Sequence, residues 1–180
     1  MSNDEVALIR RAKSGDPDAF ASIYELYYGK IYSYIYYRVH DQPLAEDLAA
    51  DVFVRLVKNI GGFEDRGRPL LAWLYTVAGN LVRDYVRRAK RIEFSPIEDR
   101  EFASNEDPTV RFDLQLDSER LQGALKQLTD DQVTVIILKF VQGMTNAEVA
   151  KAIGKKEGSV KSLQHRALRS LKRILSAESS

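Results

Sequence analysis

The sequence predicts an all-α protein of two small helical domains, an N-terminal helical bundle and a C-terminal helix-turn-helix domain, joined by an acidic linker. Apolar residues recur at helical spacing along most of the 180 residues, and no segment shows the alternation that is typical of a strand. Residues 92–113 interrupt this pattern with two prolines, many acids and no clear period. We therefore expect domains at 1–91 and 114–180, with the linker between them.

Local start and stop signals predict the helices in order. In the N-terminal half, Asp16 and Asp41 each precede a helix that begins with proline at or near its first position. In the C-terminal half, Thr129 with Gln132 fits the capping box, in which two side chains satisfy unpaired backbone N–H groups, and so does Thr145 with Glu148. The predicted helices lie at about 4–13, 17–39, 43–60, 70–90, 114–127, 130–142, 146–153 and 159–175.

Charge is nearly balanced in total, with a formal net charge of +1, but it is unevenly distributed. Residues 83–91 carry five basic residues against one acid, and 151–173 carry eight against one. Residues 92–120 reverse the sign, with nine acids against three basic residues. A single charge run is usually a solvated face, but this alternation predicts two anion-binding surfaces on a flexible or masking connector.

Several classes of protein are disfavoured by the composition. Cysteine is absent, which excludes disulfides and thiolate chemistry. The richest apolar run, 133–138, is much shorter than the roughly 18 residues of a membrane span, and the N-terminus lacks the apolar centre of a signal peptide. His40 and His165 fall in different predicted domains, and neither a metal-ligand cluster nor a phosphate-binding loop is evident. We expect a cytoplasmic protein without membrane insertion, metal, cofactor or enzymatic activity.

The segment TNAEVAKAIGKKEGSVKSLQHRAL, 145–168, predicts a helix-turn-helix. Ala150 provides the small residue needed where two helices cross, and Gly154 the turn residue that tolerates positive φ. An apolar stripe continues down the second helix and leaves a cationic face opposite, as a helix in the major groove requires. Lys161, Ser162, His165 and Arg166 are candidates for base edges, and Lys155, Lys156, Ser159 and Arg169 for phosphates. The alternative is an ordinary helical hairpin with a basic surface.

Two polar faces stand out in the N-terminal half. An acidic group, Glu46, Asp47 and Asp51, lies beside the apolar strip of the third predicted helix. A broad polar face of the fourth predicted helix holds Asn80, Arg83, Asp84, Arg87 and Arg88. Composition alone favours a solvated surface for the first face.

Seven of the nine tyrosines fall within residues 24–39, which suggests a platform for stacking bases. Helical spacing favours a second interpretation, in which the tyrosines pack. The residues predicted to be core are Phe20, Ile23, Tyr24, Tyr27, Ile31, Tyr34 and Ile35. Tyr28, Tyr32 and Tyr36 lie on other sides of the helix, where they cover the domain or meet a partner.

Three segments together resemble a known family. AEDLAADVFVRL, WLYTVAGNLVRDYVRR and EVAKAIGKKEGSVKSLQHRALRSLKRIL are similar, in this order, to the characteristic segments of bacterial sigma factors of the sigma-70 family. The compact extracytoplasmic-function (ECF) group is the most similar branch. Housekeeping members carry a tryptophan pair where Trp73 and Leu74 stand, so Trp73 is either core or a DNA contact.

The resemblance implies a role for each segment. Glu46, Asp47 and Asp51 would contact core RNA polymerase at the clamp helices of its β′ subunit. Asn80, Arg83, Arg87 and Arg88 would bind the −10 promoter element, with a flipped base held by the loop 63–69. The C-terminal motif would read the −35 element in promoter DNA, and a separate anti-sigma factor would hold the protein inactive. An operator-binding regulator that acts as a homodimer without polymerase remains the alternative.

Overall fold

The computed structural model describes residues 2–93 and 112–177, and within these ranges all regular structure is helical. The all-α prediction is confirmed. Most of the predicted linker, 92–113, lies outside the described residues. The helices are α1 (Asn3–Lys13), α2 (Pro17–Val39), α3 (Gln42–Asn59), α4 (Leu70–Glu93), α5 (Phe112–Lys126), α6 (Asp130–Ile136), α7 (Asn146–Ile153) and α8 (Glu157–Ala177).

The predicted caps start the helices as expected. The side chain of Asp16 accepts a hydrogen bond of 2.9 Å from the Asp18 amide, and Asp41 accepts one of the same length from the Leu44 amide. Both predicted capping boxes are complete, at the starts of α6 and α7. Because an N-cap contributes about 1 kcal/mol, these contacts fix the chain positions at which the helices begin.

Two short non-α segments were not predicted. A 3-10 turn, Ile60–Gly62, follows α3. After α6 the helix widens into a π turn, Ile137–Val141, in which the Gln142 amide donates to the Ile137 carbonyl at 3.1 Å. The extra residue in such a turn rotates the side chains that follow it. It thereby changes the face of the helix on which Gln142 lies.

The N-terminal half is built around α2, which packs against α1, α3 and α4. Ile23, Ile31 and Ile35 of α2 are completely buried. Each such side chain stabilises the fold by roughly 1.5–3 kcal/mol. At Gly79 of α4 an added Cβ would lie 3.3 Å from the hydroxyl oxygen of Tyr34. Glycine therefore permits the close approach of α4 to α2.

The tyrosines of α2 divide into two groups. Tyr34 is buried, as predicted, but Tyr24 is 45% exposed, so its assignment to the core was wrong. Tyr24, Tyr28, Tyr32 and Tyr36 form a ladder of stacked rings, with successive centroids 4.7, 6.1 and 6.0 Å apart. Because each ring covers the face of the next, the ladder leaves little room for a base to stack between them.

The C-terminal half packs α6, α7 and α8 around a small core, with α5 against α8. The predicted stripe of α8 is buried along its length. Its members are Val160, Leu163, Ala167, Leu171 and Ile174.

The two halves are in contact in the closed arrangement that the structure describes. The hydroxyls of Tyr34 and Thr134 lie 3.2 Å apart. Gln142, placed by the π turn, donates through Nε2 to the Lys30 carbonyl at 2.7 Å and accepts a hydrogen bond from the Tyr75 hydroxyl. Helix α7 packs on α4. The buried residues of both halves consequently form one continuous cluster.

Candidate nucleic-acid interface

The turn of the helix-turn-helix is built by Gly154, whose φ of 67° and ψ of 33° are left-handed. The Lys155 amide donates to the Ala150 carbonyl at 3.0 Å and closes the end of α7. This geometry follows the usual C-cap in which glycine reverses the chain at no steric cost. It directs α8 away from α7 with its first turn exposed.

The predicted −35 residues are all exposed, and they fall into two groups. One group lines a cleft of about 630 Å³ at the start of α8, and Asp131 borders the same cleft. Its predicted members are Lys155, Lys156, Ser159, Ser162 and Arg166.

The second group runs along the adjacent strip of α8. Lys161 Nζ lies 3.7 Å from a carboxylate oxygen of Glu157, and Arg169 Nη2 lies 3.3 Å from His165 Nε2. Spacing of four residues places Lys161, His165 and Arg169 in one row. Helix α8 therefore presents two parallel polar rows, and the cleft borders the row that holds Ser159, Ser162 and Arg166.

The predicted −10 residues line the exposed side of α4. Asn80 accepts a hydrogen bond from Arg83, and Arg87 pairs with Asp84 one turn earlier. Arg88 and Arg87 border a smaller cleft of about 220 Å³ together with Asp84 and Arg91. All four predicted side chains are exposed.

A larger cleft of about 840 Å³ lies between α4, the end of α2 and the segment that joins α5 to α6. Its α4 wall carries the cations Arg83, Arg87, Lys90 and Arg91, and Val82 and Val86 contribute apolar surface. On the opposite wall Asp130 lies 3.6 Å from Arg83, and it also lies 2.6 Å from Arg38. In the closed arrangement Arg83, a predicted −10 residue, is thus already paired with a carboxylate of the C-terminal half.

Asp130 and its neighbour Asp131 pair with cations on different faces, Asp130 with Arg83 on α4 and Asp131 with Lys155 at the turn before α8. Asp131 lies 3.1 Å from the ammonium nitrogen of Lys155, a predicted −35 residue. Sequence reasoning missed these two acids as well as Arg38 and Gln142. The DD pair at the start of α6 is visible in the sequence, but it reads as the ordinary acidic first turn of a helix.

The acidic group of α3 is less uniform than its sequence suggests. Glu46 and Asp47 are exposed, whereas Asp51 is half-buried and lies 3.6 Å from Arg55. Beside them, burial raises the pKa of the Tyr32 hydroxyl, and the nearby Glu46 charge adds to the effect. The acidic surface of α3 thus lies beside the tyrosine ladder of α2.

Trp73 is half-buried and packs against the core, which accounts for its position without a DNA contact. In the described ranges no three His, Asp or Glu side chains are grouped so as to hold a metal ion. None of the helices seen in those ranges is long and apolar enough to cross a membrane.

Comparison with known families finds two matches. Residues 23–92 match the family described as Sigma-70 region 2, and residues 118–171 match Sigma-70, region 4. The matches cover the α4 face and the helix-turn-helix, respectively.

Characterised relatives match over nearly the whole chain. The ECF RNA polymerase sigma factor SigW of Bacillus subtilis is 32% identical over 180 residues, covering 93% of this chain and 94% of that protein. The ECF RNA polymerase sigma factor BldN of Streptomyces coelicolor is 39% identical over 173 residues. The match covers 93% of this chain but 64% of BldN, so this chain spans less than two thirds of that relative.

Solved structures share the fold. CnrH, solved with the cytosolic domain of CnrY, has a TM-score of 0.70 at 23% identity and covers 96% of this chain and 97% of its own. The sigma factor RpoE of Bartonella quintana, solved with the anti-sigma factor NepR, has a TM-score of 0.61 at 25% identity. That match covers 87% of this chain and 96% of RpoE.

Proposed function

Because this chain belongs to the ECF group of the sigma-70 family of RNA polymerase sigma factors, it directs promoter-specific transcription initiation, and we propose how its residues divide that task. The observation that carries the proposal is the presence of two separate cationic faces, on α4 and α8, in the two segments that match regions 2 and 4. The division into domains at 1–91 and 114–180, joined by 92–113, is part of this proposal.

The α8 face reads the −35 element as duplex DNA. Arg166 and Ser162 border the cleft at the start of α8, where a recognition helix meets base edges in the major groove. Lys155 and Lys156 in the turn contact phosphates, which fix the register without specifying sequence. An arginine bidentate to guanine contributes about 1–3 kcal/mol of discrimination.

The α4 face binds the −10 element and holds it open. Asn80, Arg83, Arg87 and Arg88 form an exposed polar strip along which an unpaired strand follows the helix. Flipping a base costs a few kcal/mol, which contacts to the base and its backbone offset. Melting of this kind needs binding energy rather than nucleotide hydrolysis, so we propose that the protein is not itself an enzyme.

The acidic residues of α3, Glu46, Asp47 and Asp51, bind core RNA polymerase at the β′ clamp helices. Their partner surface is expected to be basic, since opposite charges steer association. Transcription takes place in the cytoplasm, where we place the protein.

An anti-sigma factor is the further partner that we propose. Similar sigma factors were solved with such partners, among them RpoE of Bartonella quintana with NepR. In the closed arrangement Asp130 already pairs with Arg83, so a partner that stabilises this arrangement would keep the −10 face occupied.

In vitro transcription tests the function. Core polymerase is incubated with fragmented genomic DNA, with and without the protein, and RNA 5′ ends are mapped. We expect discrete new start sites that share two upstream elements at fixed spacing. If the protein binds duplex DNA alone as a dimer and yields no new starts, the homodimeric operator-binding regulator replaces this proposal.

A further inference from the structure

A small cavity of about 190 Å³ lies between α1 and the loop 63–69. Its volume equals that of about six water molecules in the liquid, enough for one planar group and too small for a strand. The residues that line it are Val6, Ile9, Arg10, Lys13, Phe63 and Asp65.

The loop side of the cavity is held in place by local contacts. The 3-10 turn packs on α1, and the Phe63 amide donates to the Ile60 carbonyl at 3.0 Å. Asp65 accepts a 2.9 Å hydrogen bond from the amide of Gly67, whose φ of +81° only glycine adopts readily. Phe63 and Asp65 are therefore presented to α1 by a turn of defined shape.

The α1 side combines apolar surface with two cations. Ile9 is buried, while Val6 is 37% exposed at the cavity. Arg10 and Lys13 are three residues apart and share a face of the helix. Within the described residues neither forms an ion pair, whereas Arg11 between them lies 2.8 Å from Asp16.

This lining matches the chemistry of an unpaired nucleotide. Aromatic and aliphatic side chains accept the faces of a base, and exposed cations bind the phosphates on either side of it. A carboxylate accepts hydrogen bonds from an exocyclic amino group, which adenine, cytosine and guanine carry and thymine lacks. A purely aliphatic ligand would leave Asp65, Arg10 and Lys13 without a role.

We infer that α1 forms the second wall of the pocket for an unpaired −10 base, with Arg10 and Lys13 binding its flanking phosphates. The inference rests on the proposed function, and it assigns to α1 a part in promoter opening. At the corresponding position a base with an exocyclic amino group is preferred over thymine.

The test uses holoenzyme assembled from core polymerase and the full chain, on a promoter located by the transcription assay. Binding of the single-stranded non-template −10 strand is measured over a range of salt concentrations. For single strands each phosphate contact contributes about 0.7 to the slope of log affinity against log salt. Replacing both cations, Arg10→Ala with Lys13→Ala, is expected to reduce the magnitude of that slope by about 1.4. Arg11→Ala, on the same helix but paired with Asp16, is the control and leaves the slope unchanged.

A second variant tests the pocket itself. Val6→Trp fills the cavity from a partly exposed position without removing a charge. In a template library randomised through the −10 element, it is expected to abolish the base preference at one position and leave the others.

The outcomes separate the two proposals. Unchanged slope in the double variant and unchanged preferences in Val6→Trp, with start sites intact, would overturn the role of α1 and leave the sigma function standing. A wild-type holoenzyme that gives no discrete start sites would overturn both.

Discussion

Asp130 at the start of α6 lies 2.6 Å from Arg38 near the end of α2, joining residues that are 92 positions apart in the chain. The Arg38 side chain is only 9% exposed and also donates to the Tyr34 hydroxyl at 3.0 Å. A largely buried guanidinium depends on its partners because its desolvation is otherwise uncompensated. This pair is therefore a contact between the halves whose loss would leave a buried charge without its partner.

Asp130→Asn is expected to lower the free energy of unfolding by about 1–3 kcal/mol, since it removes a charge that a buried cation requires. Urea unfolding measures the change. The neighbouring Asp131→Asn is the matched control. Asp131 is 58% exposed and its partner Lys155 36%, against 9% for Arg38, so we expect at most about 1 kcal/mol. Equal effects of the two substitutions would contradict the importance of Arg38.

Gly154→Ala is expected to destabilise the protein by about 1–2 kcal/mol, because alanine is strained at a φ of 67°. The new Cβ would also lie 3.3 Å from the guanidinium carbon of Arg68. Thermal or urea unfolding provides the measurement. Gly158→Ala serves as the control, since it lies in α8 with open space around its Cβ and should stabilise the helix by roughly 0.5–1 kcal/mol.

Arg166→Ala is expected to relax base preference at one −35 position by about 1–3 kcal/mol, roughly 5–150-fold, if the side chain reads a base edge. Selection from a randomised −35 library measures it. Arg173→Ala, on the same helix two turns later, should weaken binding to all sequences alike. If Arg166→Ala leaves the base preference unchanged at every position, Arg166 does not read a base edge.

Reversing the charges of Asp47 and Asp51 to lysine is expected to weaken association with core polymerase at least about tenfold, or 1.4 kcal/mol. Glu25→Lys on α2 is the control for a change of surface charge. Affinity is measured by competition for core polymerase. An affinity like that of wild type would show that the docking surface lies elsewhere.

His40 makes stability depend on pH. Burial, with the Lys126 charge beside it, lowers the pKa of this imidazole from 6.5 to about 4. Between these values the unfolded chain binds more protons than the folded one, so stability falls as pH decreases from about 6.5 to 4. Because the side chain is only partly buried, the expected loss is on the order of 1 kcal/mol. Urea unfolding at pH 7 and pH 5 should show a smaller difference for His40→Asn, which tolerates the positive φ of 54°. If wild type and His40→Asn show the same pH dependence, the loss of stability arises from other titrating groups.

Features set by neighbours in the chain were predictable from the sequence. The caps at Asp16 and Asp41, the two capping boxes and the turn at Gly154 depend on residues within a few positions of one another. Their physical signals are strong because each satisfies backbone groups that the helix end leaves unpaired. The exposed positions of the predicted DNA-binding residues followed from helical periodicity, which likewise depends on residues only a few positions apart. The assignment of those residues to promoter elements is still a prediction.

Features that depend on distant residues were not predictable. The partners Arg38 and Asp130 have no shared sequence signal, and the π turn that places Gln142 leaves no local signature. Tyr24 was misassigned because periodicity identifies a face but not its width, and stacked aromatic rings extend beyond the buried strip. The cavity beside α1 was missed because its two walls lie some fifty residues apart in the chain.

The closed arrangement accounts for one feature of the sequence, the glycine at position 79 in α4. In the middle of α4 a glycine weakens the helix by about 0.5–1 kcal/mol relative to alanine. It occupies the place where a methyl group would press on the Tyr34 hydroxyl, which in turn touches Arg38 and Thr134. An intrinsically poor helix residue is therefore tolerated where one half of the molecule meets the other. Substitutions at this single buried position provide a genetic means of adjusting how readily the halves separate, without altering any residue on either proposed DNA-binding face.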